Sequence, residues 1–280
     1  MFAPSFDPVA ISLGSFQLRW YGMMYLCAFL TGWLLARYRA GKPGAGADWT
    51  AVDVDDMLTG FMLGVIAGGR LGYVLFYDLP VYLADPLEIF RIWNGGMSFH
   101  GGLLGVMAAM LWFAHKKKKS FWQISDFVAP LVAPGLFFGR IGNFINGELW
   151  GKVSDAPWAV LFPHSGDLPR HPSQLYEAAL EGLVLFVLVW LFSRQRRPWG
   201  AVSGLFALGY GLFRFMVEFV RLPDPQLGYL AFGWLTMGQV LCLPLIFIGL
   251  WLLLRKGWQV VPEPAKQPAA QAHTKQKKRT

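Results

Sequence analysis

The stretch Phe137-Phe138-Gly139-Arg140-Ile141-Gly142-Asn143-Phe144-Ile145-Asn146-Gly147-Glu148 sets one arginine, two asparagines and one glutamate among glycines and phenylalanines at the end of an apolar segment. A charge at the edge of an apolar span is costly unless it faces a partner, a cavity or the interface. If a helix runs through this stretch, Arg140 and Asn143 share a face, and Asn146 and Glu148 fall just beyond its end. A second group follows in Gly209-Tyr210-Gly211-Leu212-Phe213-Arg214-Phe215-Met216-Val217-Glu218-Phe219-Val220-Arg221. Tyr210, Arg214 and Glu218 recur at i, i+4 and i+8, one polar stripe on an otherwise apolar helix. Two arginines on different helices suit a phosphate, because guanidinium forks bind its oxygens in pairs. Glu148 and Glu218 are the acidic neighbours expected to hold these arginines and balance their charge.

Other polar residues stand where apolar ones are expected. His100 lies between glycines in Gly95-Gly96-Met97-Ser98-Phe99-His100-Gly101-Gly102. Such glycines let a backbone or a ligand approach, and histidine titrates near neutrality. In His171-Pro172-Ser173-Gln174-Leu175-Tyr176-Glu177, Pro172 and Ser173 read as a helix start, and Gln174 and Glu177 face one way. Arg19, Tyr21 and Tyr25 open the first apolar span, and Arg70 lies about two turns from the end of the second. Plainer readings exist for each: an interfacial belt, a packing histidine, a snorkelling arginine, capping with an ion pair. They account worst for the four residues from Arg140 to Glu148 taken together. There is no His, Cys and carboxylate cluster at metal spacing. No phosphate-binding P-loop, GxSxG or Ser/His/Asp order is readable. The residues point to a membrane-embedded site for a phospholipid headgroup, with group-transfer chemistry.

The elements that must carry these residues follow from composition. The 280 residues are 55% hydrophobic and 15% charged, against about 25% charged in soluble proteins. The expected class is an all-α integral membrane protein with seven transmembrane helices, near residues 19–38, 57–77, 95–114, 121–144, 173–192, 201–220 and 234–254, each close to the ~20 residues a bilayer needs. Gly60, Gly64 and Gly68 offer a small-residue contact face on the second span. The net charge of +8 gathers at span ends, which is a topology signal and not a nucleic-acid footprint. Lysines and arginines crowd the links after spans one, three and five and the tail, so the N-terminus is expected outside and the C-terminus in the cytoplasm. Residues 1–18 are too broken to span and are expected along the membrane surface, with no cleavable signal pattern. Residues 1–260 form one membrane domain, and 261–280 read as a disordered basic tail. Cys27 and Cys242, the two cysteines, exclude a disulfide framework.

The motifs Arg19-Trp20-Tyr21-Gly22, Gly68-Gly69-Arg70-Leu71-Gly72-Tyr73, Ser98-Phe99-His100-Gly101-Gly102, residues 139–151, residues 171–177 and residues 209–223 resemble the bacterial prolipoprotein diacylglyceryl transferases over almost the whole chain. The resemblance implies an enzyme of the bacterial inner membrane, without a cofactor, working toward the periplasm. It implies transfer of the sn-1,2-diacylglyceryl group of phosphatidylglycerol to the lipobox cysteine of a prolipoprotein signal peptide, with release of sn-glycerol 1-phosphate. Joined to the residue reading, Arg140 and Arg214 are expected to clamp the phosphate and His100 to take the thiol proton. Tyr21, Asn143 and Glu148 would orient the headgroup, with Glu218 holding Arg214; Arg70, Asn146, His171, Gln174 and Tyr210 complete the expected substrate-binding set. The competing reading is a membrane anion or lipid transporter, which the lack of a repeat between the halves disfavours.

Overall fold

The structure is a computed structural model that describes residues 9–13, 16–92, 95–163, 165–223 and 226–255. The tail at 261–280 lies outside the described residues. Eight α-helices are built: α1 (Trp20–Arg39), α2 (Ala51–Phe76), α3 (Leu79–Ala84), α4 (Phe99–Lys117), α5 (Phe121–Ile145), α6 (Ser173–Ser193), α7 (Ala201–Val217) and α8 (Met237–Leu254) among the described residues. All but the short α3 coincide with a stretch expected to be a span. Four of them, α2, α5, α6 and α8, are long and apolar enough to cross a membrane. Large apolar side chains such as Leu26, Leu30, Leu34, Leu241, Phe247 and Leu254 are exposed on the helix surfaces, the arrangement expected where lipid is the solvent.

The chain is not purely helical. Strands β1 (Val9–Leu13) and β2 (Phe16–Arg19) pair antiparallel, and the chain passes from Arg19 straight into α1. The expected surface-lying segment is therefore in part a hairpin, whose mutual hydrogen bonds satisfy backbone that a helix at this Pro- and Gly-broken stretch would leave open.

Local signals set the helix ends. Thr50 and Asp53 form a capping box at α2, as do Ser120 and Gln123 at α5 and Thr236 and Gln239 at α8. Asp126 on α5 accepts from the Gly200 and Ser203 amides, at 2.6 and 2.8 Å, and so fixes the start of α7. The buried Arg39 reaches back to the Phe127 carbonyl at 2.9 Å. These ties sit at the end of the molecule opposite the polar stretch at 140–148.

Helix α5 is central, touching α1, α4, α6 and α7. Helices α2 and α4 form a close pair. Cβ atoms built at Gly64 and Gly72 would come within 2.6 Å of the Gly105 carbonyl and 2.7 Å of the Gly101 Cα. A Cβ at Gly60 meets nothing. The small-residue seam is thus Gly64, Gly68 and Gly72 against Gly101 and Gly105, one turn further along α2 than expected. It also gives Gly101, next to His100, its reason: it admits the backbone of α2.

Candidate functional site

A cluster of six charged side chains lies where α5, α6 and α7 meet. Glu177 and Glu181, both 0% exposed, project from α6. Arg140 of α5 places Nε 2.9 Å from Glu177 Oε2 and Nη2 3.6 Å from Glu181 Oε2. Arg214 of α7 pairs through Nη1 with Glu177 Oε1, and its Nη2 lies 3.1 Å from Glu218 Oε2. Arg221, just past α7, reaches Glu177 Oε1 at 3.0 Å. One carboxylate therefore joins three arginines, and Arg140 and Arg214 are brought together on it. Glu218 is further fixed by the Thr236 hydroxyl, which donates at 3.0 Å. Buried charges survive only when paired, and three arginines against three glutamates satisfy that condition.

A π-helical turn over Ala178–Val184 interrupts α6 at this point. Such widened turns recur at functional sites. Gly182 within it lets α6 lie against Phe137 of α5, where an added Cβ would come within 2.6 Å of the Phe137 Cβ.

On the other side of Arg140 opens a cavity of about 650 Å³ between α1, α2 and α5. Its wall is almost wholly apolar, with Phe29, Trp33, Phe61, Leu131 and Leu136 among the lining residues. Its polar residues gather at one end: Tyr21, Arg140 and Asn143. From Phe127 to Asn143 along α5 is about 24 Å at 1.5 Å per residue. The cavity thus has the length of an acyl chain and ends on a guanidinium. Arg140 spends its Nε–Nη2 edge on the two glutamates; among the described residues its Nη1 donates to none.

The polar end is held by the chain just past α5. Asn143 and Asn146 donate to Glu148 Oε1 at 2.8 and 3.3 Å. Gln174, fully buried at the start of α6, donates to the Glu148 carbonyl at 2.6 Å, and Ser173 to the Leu149 carbonyl at 3.0 Å. The Tyr21 ring packs on Gly142. Glu148 therefore pairs with asparagines and not with the arginines, a correction to the expectation from its place in the sequence. Gln174 acts on backbone.

Three expected site residues stand apart from this cluster. Arg70, 3% exposed, donates to five carbonyls: Ile89 from Nε at 2.9 Å, Gly95 and Gly96 from Nη1, and Glu88 and Arg91 from Nη2. With every N–H engaged, it organises the link between α3 and α4 and has none to give a substrate. His100 is exposed in the first turn of α4, its ring 5.7 Å from that of Phe99. Its neighbour Phe99 lines the cavity, but His100 shares no hydrogen bond or ion pair with the cluster. His171 Nδ1 lies 3.1 Å from the Tyr176 hydroxyl, which accepts from Trp158 at 2.6 Å, and so ties the 146–172 link to α6. Tyr210 lies beside Glu181 and Arg214 and stacks on Phe206.

Glu177, Glu181 and Arg221 carry the cluster, yet none belongs to the expected site set. The signal was present: Gln174, Glu177 and Glu181 recur at i, i+3 and i+7 on an apolar segment, the same kind of stripe that singled out Tyr210, Arg214 and Glu218.

A helical chain with an apolar outer surface, an internal cluster of paired charges and an apolar cavity ending on it defines a multi-pass membrane protein with an interior polar site. Residues 8–255 match the family model described as prolipoprotein diacylglyceryl transferase, and the chain belongs to that family. A relative from Nitratidesulfovibrio vulgaris (strain DP4), named phosphatidylglycerol–prolipoprotein diacylglyceryl transferase, is 66% identical over 250 residues, 89% of this chain and 94% of its own. One of the same name from Solidesulfovibrio magneticus is 64% identical over 255 residues, covering 90% and 96%. One from Pseudomonas paraeruginosa is 57% identical over 267 residues, covering 95% and 98%. The transporter alternative finds no support among them.

Proposed function

We propose that this protein transfers the sn-1,2-diacylglyceryl group of phosphatidylglycerol to the cysteine thiol of a prolipoprotein lipobox, releasing sn-glycerol 1-phosphate. The observation that carries the reading is Arg140: a guanidinium at the polar end of an apolar cavity, with Nη1 unspent. An acyl chain fits the cavity, and the phosphate then falls against Arg140, with Arg214 one carboxylate behind it. Sulfur attacks the glycerol carbon that bears the phosphate; the C–S bond forms as the C–O bond breaks, and the electron pair leaves on the phosphate oxygen. Arg140 and Arg214 stabilise that developing charge, an effect worth about 3 kcal/mol per donor in comparable sites. Tyr21 and Asn143 orient the headgroup, and Glu148 holds Asn143. The thiol must first lose its proton. His100 takes it in this reading, because Phe99 brings that turn to the cavity wall.

The same reading has residues 1–260 as one membrane domain crossing the bacterial inner membrane seven times, with the N-terminus and the 140–148 end periplasmic. Lipid and signal peptide are then its partners within the bilayer. Purified protein given phosphatidylglycerol and a lipobox peptide is expected to yield thioether-linked peptide and glycerol phosphate in equal amounts. Lipid movement without glycerol phosphate would favour transport and overturn the proposal. Near-normal transfer by His100→Gln would remove His100 as the base while leaving the activity assigned.

A further inference from the structure

We propose that Glu181 is a positioning residue that tempers the charge of Arg140 and Arg214 so that the phosphate product can leave. The inference rests on the reading above, in which these arginines hold the phosphate.

Glu181 differs from the other two glutamates of the cluster. Glu177 accepts hydrogen bonds from Arg214 and Arg221 through Oε1, and Glu218 accepts one from Thr236. Both carboxylate oxygens of Glu181 are buried without a hydrogen bond. Its nearest cations are Arg140 Nη2 at 3.6 Å and Arg214 Nη1 at 3.9 Å. It therefore caps no helix and ties no loop. A fully buried carboxylate of this kind is expensive to keep, and what it supplies, when ionised, is negative charge to two arginines.

The reaction explains why that charge is useful. The diester substrate brings one negative charge and the thiolate a second. When the C–O bond breaks, both reside on the leaving monoester, which carries close to two charges at neutral pH. Three arginines facing only Glu177 and Glu218 would hold that product more tightly than the substrate. A product held more tightly than the substrate leaves slowly, and its release then limits turnover. Glu181 makes the count three against three and weakens the grip on the dianion.

The test is Glu181→Gln, which keeps shape and removes charge, assayed in detergent for transfer and for inhibition by sn-glycerol 1-phosphate. The inhibition constant is expected to fall about tenfold. Steady-state turnover falls by a similar factor, while the first turnover, measured before product leaves, keeps its rate to within about threefold. A merely structural lesion would instead weaken product binding and slow the first turnover. Glu181→Asp, which retains the charge at a longer distance, is expected to lie between Gln and the parent, and it decides the matter if the Gln variant does not fold. An inhibition constant that is unchanged or higher in the folded variant overturns the proposal. Absence of transfer by the parent protein overturns the functional reading instead, and the two failures are therefore distinct.

Discussion

Arg140 has a divided task at the scale of single residues. Its Nε–Nη2 edge is committed to Glu177 and Glu181, while the residue also lines the cavity and its Nη1 donates to none of the described residues. A lysine keeps the charge but cannot serve both directions. Arg140→Lys is expected to lower kcat/KM for phosphatidylglycerol about 100-fold, read from thioether formation, with the folded fraction unchanged. Glu177 is the more fragile residue, since three arginines converge on it. Glu177→Gln leaves buried positive charge uncompensated and is expected to cost about 3–5 kcal/mol, measured as a drop in unfolding temperature in detergent. The arginines and Glu218 were legible in the sequence because a charge every fourth residue on an apolar helix has few explanations. Which carboxylates they pair with was not. Glu148 is close to Arg140 along the chain, but ion pairs between helices obey the packing of α5 on α6. That packing depends on Gly182 and a widened turn, neither of which leaves a periodic trace.

The seam between α2 and α4 is the clearest feature at the scale of elements. Spacing announced a small-residue face on α2, because glycines four apart must stack. It did not say which turn would meet which helix; the register came from Gly101 and Gly105 on α4. Gly105→Leu would drive a side chain into the Gly64 carbonyl and part the two helices. An overpacking cost of about 1–3 kcal/mol is expected, visible as earlier thermal unfolding. Gly60→Ala on the same helix adds a Cβ that meets nothing and is expected to be silent. Arg70 belongs to this scale as well. Arg70→Met should free the carbonyls of the link between α3 and α4, so that limited proteolysis cuts within residues 85–97 while the helices stay intact.

For the whole molecule, the seven described helices other than α3 begin and end within six residues of the apolar stretches expected to span. The hairpin ahead of α1 did not show, since its strands are short and separated by little more than a turn. Orientation is the remaining global property, and it is open to direct measurement. In a Cys27→Ala background, Ala84→Cys at the end of α3 is expected to react with a membrane-impermeant maleimide on intact spheroplasts. His115→Cys at the end of α4 should react only after lysis. The reverse pattern would invert the proposed topology.

The five carbonyls on Arg70 have a broader consequence. Carbonyl oxygens are supplied by every amino acid, so the path of residues 88–92 and 95–96 is held by a side chain that lies outside the segment. Its described side chains are largely released from the duty of encoding its shape, apart from the Glu88–Arg91 ion pair at 2.6 Å and Gly95 and Gly96, whose positive φ of 85° and 79° favours glycine. This rim can therefore be resurfaced, by natural drift or by design, without being refolded.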